Sequence, residues 1–233
     1  MSFDPAHKII PALVVGKISQ EKADLLIERT KEVNDGSLHV FFSDQRPPYQ
    51  EAILRAFGRE FQPERRGRRG RLPKVRLEPP PNLLYVQVVK ERRKGRVIRV
   101  WTKIVFGGEE ALAKYLEDSP VSRHVNTAFV ERENGTLRHH SRRLTRRTLA
   151  FSKKLACLEE QLHLSLVYYH FCLPHLGLRE EITPPQLTKG EGSAKRWRPV
   201  TPMMSGGVTD HVWTLPELLT FRVPLKAKEN ISC

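Results

Sequence analysis

Apolar and polar positions along this chain recur with two periods. Residues 8–16 (KIIPALVVG) are a short apolar run closed by Gly16 and predict a strand. Residues 19–33 then switch to a helical period. Ser19 suits the N-cap, and Ala23, Leu26, Ile27 and Val33 form the expected buried side. A turn at 34–36 leads to a second strand, 38–43 (LHVFFS), closed by Asp44 and the Pro47-Pro48 pair, and to a helix over 48–57. The runs at 82–89 (NLLYVQVV) and 96–106 (RVIRVWTKIVF), joined by KERRKG, predict a hairpin. Residues 109–118 predict a short helix. Residues 153–172 predict a longer helix, with Leu155, Leu158, Leu162, Leu166, Tyr169 and Phe171 as a broad buried face. The tail, 183–233, is rich in Pro and Gly, with one amphipathic piece at 214–219. Strands interleaved with helices predict an α/β fold, a sheet covered by helices.

Two segments break this rhythm. Residues 59–81 place seven Arg or Lys between positions 65 and 76, among Gly and Pro, which predicts either an exposed arm ordered on nucleic acid or a solvated linker. Residues 126–154 put Val130, Leu137, Leu144 and Phe151 at spacings of seven, a thin apolar stripe along one side of a helix. On that helix Arg138, Arg142 and Arg146 would form one row, Arg143 and Arg147 a second, with Lys153 beyond them. Glu131 stands at the head of this basic segment.

Charge sharpens the picture. The 233 residues hold 40 Lys+Arg against 26 Asp+Glu, a formal charge of +14. That excess points to a polyanionic partner, nucleic acid first, with a basic RNA- or ribosome-associated protein or a membrane-surface protein as the other readings. No apolar run is long enough to span a bilayer, MSFDPAHK lacks the core of a signal peptide, and three cysteines without a disulfide framework fit a reducing cytoplasm. Cys157, Cys172 and Cys233 form no CxxC pair. With His163 and His175 the first two match no common zinc spacing, and a buried structural role is expected for them.

Asp44 ends an apolar strand, where open sheets place ligands, although a strand-end aspartate is more often a turn residue. Paired with Glu131 it invites metal chemistry, because Mg2+ takes a few carboxylates and fills its other positions with water and phosphate oxygens. Two such ions can clamp the attacking and leaving oxygens of an in-line displacement at phosphorus, and two carboxylates are few for two ions.

The stretch FVERENGTLRHHSRRLTRRTLAFSKK resembles the C-terminal catalytic portion of insertion-sequence transposases of the IS-one family. The resemblance rests on Asn126, Thr127, Phe129, Val130, Glu131, Arg132, Asn134, Leu137 and Arg138, then Arg143, Leu144, Arg147, Phe151, Ser152 and Lys153. It extends to SDQRPPYQEAI (43–53), YYHFCLPH (168–175) and TPMMSGGVTDHVW (201–213). It implies an RNase H-like mixed sheet flanked by helices over residues 1–182, with a basic arm and an inserted β-hairpin at 59–107, and residues 183–233 as a separate tail. It also implies a DDE site for metal-dependent DNA strand cleavage and transfer, with Mg2+ or Mn2+ as cofactor. Asp44 would be the second acidic ligand and Glu131 the third, with Arg138 the basic residue that follows. The implied partners are DNA at transposon ends and further copies of the chain or an intact transposase, in the cytoplasm at the nucleoid.

The pattern departs at one decisive place. The strand carrying the first catalytic aspartate, and the N-terminal DNA-reading segment, have no counterpart; Asp4, Asp24 and Asp35 fall on turns or a helix. Gln45, His170 and Leu173 also depart from the family pattern. The expectation is an N-terminally incomplete, inactive transposase polypeptide lacking the first strand. The alternative is a non-catalytic DNA-binding remnant that regulates an intact transposase.

Overall fold

The computed structural model describes residues 1–34, 40–64, 73–145, 147–187 and 192–222. The chain divides into two compact units, Met1–Glu159 and Glu160–Cys233.

In the first unit α1 (Gln20–Glu32) starts where Ser19 accepts from the Lys22 backbone N–H, as an N-cap should. Strand β1 (Val40–Asp44) follows, then α2 (Pro47–Phe57). Two prolines open α2, where their missing N–H groups are unneeded, and Gly58 closes it. A Cβ on Gly58 would lie 2.2 Å from the Leu54 carbonyl oxygen, so only glycine fits. The predicted turn at 34–36 and the first two residues of the predicted strand 38–43 lie largely outside the described residues.

Strands β2 (Arg59–Phe61) and β3 (Arg76–Glu78) pair antiparallel as a small ladder. The arm expected over 59–81 therefore has a paired stem; its most basic part, 65–72, is outside the described residues. Strands β4 (Leu84–Arg93) and β5 (Arg96–Phe106) form the predicted hairpin. The segment KERRKG is strand almost to its end, and only Lys94 and Gly95 turn, both at positive φ (48° and 78°). Helices α3 (Glu109–Asp118) and α4 (Ala128–His140) complete this unit.

The sheet is mixed, in the order β1-β4-β5, with β1 parallel to β4 and β5 antiparallel to it. The hairpin is thus no appendage: its first strand is the central one, buried from Leu84 to Val89. Alternation along the strands separates two faces. Tyr85 and Phe41 pack on α1 and α2 in a core with Ala23, Ile27, Ala52, Ile53, Phe57, Leu83 and Phe106. On the other face the Phe42 ring meets Tyr115 of α3 edge-on at 5.7 Å. A sheet covered by helices is what the chain pattern predicts, and its mixed pairing is what the resemblance implies.

The strand expected over 8–16 does not form. Pro11 has no N–H to donate, Lys8 adopts a left-handed φ of 59°, and the chain folds back on its own start. Asp4 N–H donates to the Ile9 carbonyl and Ser2 N–H to that of Ala12, both near 2.9 Å. Ile10 and Ala12 are nonetheless buried, while Val33 is exposed.

The second unit takes most of α5 (Leu155–Phe171), then the antiparallel pair β6 (Glu180–Gln186) and β7 (Lys195–Arg198), and the short helices α6 (Pro202–Ser205) and α7 (Leu215–Thr220). Leu162, Leu166, Tyr169 and His170 are the buried positions of α5, and Leu155 is exposed. Cys157 is exposed rather than buried as expected. No described helix is long and apolar enough to cross a membrane.

Candidate functional site

Register alone brings the acidic residues together. Asp44, the last residue of β1, pairs with Val88 of β4. Two residues further along β4, on the same face, stands Lys90. Helix α4 begins over this corner, and Glu131 lies in its first turn, where the helix dipole favours a carboxylate. Lys90 Nζ donates to Glu131 Oε1 at 2.8 Å and to Thr127 Oγ1 at 3.3 Å, and lies 3.9 Å from Asp44 Oδ1. One ammonium nitrogen thus stands between the two carboxylates singled out from sequence.

The electrostatics follow from that contact. The Lys90 hydrogen bond holds the Glu131 carboxyl below the usual carboxylate range, with Thr127 and Arg92 adding to the pull. Asp44 Oδ1 is buried and accepts no hydrogen bond among the described residues, an expensive condition for a carboxylate oxygen. Both carboxylates line a cavity of about 500 Å³, whose wall also holds Ser43, Tyr49, Tyr85 and Asn134. Burial pushes the Tyr49 phenol up.

Two carboxylates converging on one cationic atom, one with an unsatisfied buried oxygen, fit a single divalent ion. Mg2+ is commonly held by one or two carboxylates, with water and phosphate oxygens completing its shell. Among the described residues no cluster of three or more His, Cys, Asp or Glu side chains is placed to hold a metal.

The arginine rows look different from their prediction. Helix α4 ends at His140, with buried Ser141 in an extended conformation as its C-cap. Only Arg138 sits on the helix. Arg142 and Arg143 lie in the single 3-10 turn Arg142–Leu144, and Arg147 adopts a left-handed φ of 54°. Arg146 is outside the described residues, and Lys153 follows on non-helical chain. The seven-residue stripe does not form one face, because the helix ends before Leu144 and Phe151, and Phe151 is 65% exposed. Arg138, Arg142, Arg143, Arg147 and Lys153 are all exposed, so each is free to meet an anion.

Lys90 is the residue that the sequence reading missed, because KERRKG read as a turn. Extending the strand alternation of NLLYVQVV by two residues past Val88 would have put Lys90 beside Asp44.

Comparison of the chain with family models, with curated proteins and with solved structures finds no match.

Proposed function

We propose that this chain is a DNA-binding polypeptide of the insertion-sequence transposase type, and that its Asp44–Glu131 pair is a metal-ligand set of a strand-transfer site. The observation that carries this reading is the convergence of both carboxylates on the Lys90 ammonium, from a strand end and a helix start far apart in sequence. Asp44 and Glu131 would hold one Mg2+ or Mn2+ once Lys90 swings away. Such an ion supplies charge neutralisation at a phosphate and a lowered pKa for an attacking water or hydroxyl. Until then Lys90 offsets one of the pair's two negative charges, and exposed Arg138, Arg142, Arg143 and Arg147, with Lys153, grip phosphates. The expected partners are DNA ends and other copies of the chain or an intact transposase, at the nucleoid of the cytoplasm.

With two carboxylates in the described site, the polypeptide is expected to bind DNA without cutting it. Incubation with duplex DNA and Mg2+ or Mn2+ should leave no nicks. Nicking that Glu131→Gln abolishes would reverse this and make the chain an active enzyme, the second reading, which the unsatisfied buried Asp44 oxygen favours.

Lys90→Met tests the counter-ion role. Without the Lys90 ion pair to break, a unit-charge attraction at about 4 Å worth about 1 kcal/mol in a largely hydrated setting, Mn2+ affinity should rise about fivefold by calorimetry. Unchanged or weaker binding would count against a shared place for the ammonium and the metal.

A further inference from the structure

We infer that the outer half of the β4–β5 hairpin is a second nucleic-acid-binding element, a basic ribbon that enters the major groove of a DNA duplex next to the carboxylate pair; this rests on the DNA-binding reading above. From Lys90 to Lys103 the hairpin carries seven Lys or Arg and one acid, Glu91. From Glu91 outward on β4, and from Arg96 through Lys103 on β5, every residue is exposed. The tip of the ribbon, from Glu91 to Arg99, is therefore exposed along both strands, while nearer the sheet Val100, Trp101 and Thr102 line a pocket with Leu112 and Leu116 of α3.

Its charge distribution selects the partner. Neighbouring residues of a strand point to opposite faces, so Arg92 and Arg93 project on opposite sides of the ribbon. A membrane surface or a flat acidic protein patch would meet one face and leave the other unused. The major groove offers two phosphate-lined walls with base edges between them, and at about 12 Å wide and 8.5 Å deep it admits a two-stranded ribbon. The outer ladder, from the Glu91–Arg99 pair to the tip, is roughly 13 Å long at about 3.3 Å per residue, enough to reach the groove floor. Val97, Ile98 and Val100 are 44–56% exposed, an unusual run of apolar groups in water and a suitable one against thymine methyl groups. The Arg99 guanidinium lies over the Trp101 ring at 5.2 Å, which stiffens the base of the ribbon.

The ribbon is also rooted in the site. Lys90, where it leaves the sheet, is the residue that touches Glu131, and Arg92 is near enough to act on the same carboxylate. A duplex seated on the ribbon would bring its backbone past Asp44 and Glu131.

The test compares the intact chain with a variant carrying Arg92→Ala, Arg93→Ala, Arg96→Ala and Arg99→Ala, by anisotropy of a labelled duplex from 50 to 300 mM salt. All four residues are exposed, and circular dichroism checks the fold. The variant should bind at least tenfold more weakly at 150 mM, and the slope of log affinity against log salt should become shallower by about 3. Equal affinity and slope would overturn the ribbon while leaving the DNA-binding reading standing; an intact chain that binds no duplex would remove both. A second measurement needs no variant. Photocross-linking of the intact chain to a duplex with 5-bromouracil, whose bromine takes the thymine methyl position in the major groove, should label peptide 90–103. Labels confined to other peptides, or loss of anionic-vesicle binding in the variant with duplex binding intact, would overturn the proposal.

Discussion

Replacing Tyr85 by alanine should cost about 3–5 kcal/mol of stability, the range for emptying a buried aromatic site. Tyr85 is fully buried in the central strand, between the two core helices and the Phe106 ring, whose centroid is 5.9 Å away. Its hydroxyl is as informative as its ring. It shares a 2.8 Å hydrogen bond with Ser43 Oγ and accepts from the buried Gln87 amide at 2.9 Å. Tyr85→Phe keeps the ring and removes both bonds, stranding a buried polar group, so a smaller loss of about 1–3 kcal/mol is expected. Because Ser43 precedes Asp44, this hydroxyl also fixes the end of β1 on which the site depends. Urea denaturation of Tyr85→Ala, Tyr85→Phe, Ser43→Ala and the Tyr85→Phe/Ser43→Ala pair gives the measurement. A pairwise coupling near zero would show that the Ser43 contact does not matter.

Acid should destabilise the second unit through one residue. His170 lies 7% exposed on α5, and burial pushes its imidazole down to about 4. The unfolded chain takes up this proton near 6.5, the ordinary histidine value. Between about pH 6.5 and 4 the unfolded state therefore binds more protons than the folded one, and stability falls as pH drops. It is complete above that window, and the loss approaches about 3 kcal/mol at its lower end. His170→Phe should flatten this part of the profile, read from urea midpoints at pH 7 and pH 4.5. A variant that keeps the wild-type acid sensitivity would place its origin elsewhere.

Much of the fold was legible because its signals are local. Ser19, the Pro47-Pro48 pair and Gly58 mark helix ends through backbone hydrogen bonds available within one turn, and α1, α2 and α3 fall close to their predicted spans. Where tertiary packing decides, the sequence misled. The run at 8–16 is apolar because it is buried, yet Pro11 and the left-handed Lys8 keep it out of the sheet. Apolar groups at spacings of seven after Leu137 looked helical, but a period states only which residues could share a face. Ser141 ends the helix before Leu144 or Phe151 can use it. Asp44 and Glu131 were legible as chemistry, through a strand end and a helix start. The lysine between them was hidden by a run of charge that resembles a loop and is in fact strand.

The two-residue tip of the long hairpin has a thermodynamic consequence. Lys94 and Gly95 both sit in the left-handed region, the geometry that lets two paired strands reverse with no slack. The cations around that tip are therefore spaced by a ladder of backbone hydrogen bonds before any ligand arrives, and most of their ordering is completed during folding. Arg142, Arg143 and Arg147 stand on a single 3-10 turn and the non-helical chain after it, with no strand partner to space them, so more of their ordering falls at the moment of contact. Of the two basic regions, the rigid one should set orientation and the loose one should adjust to it.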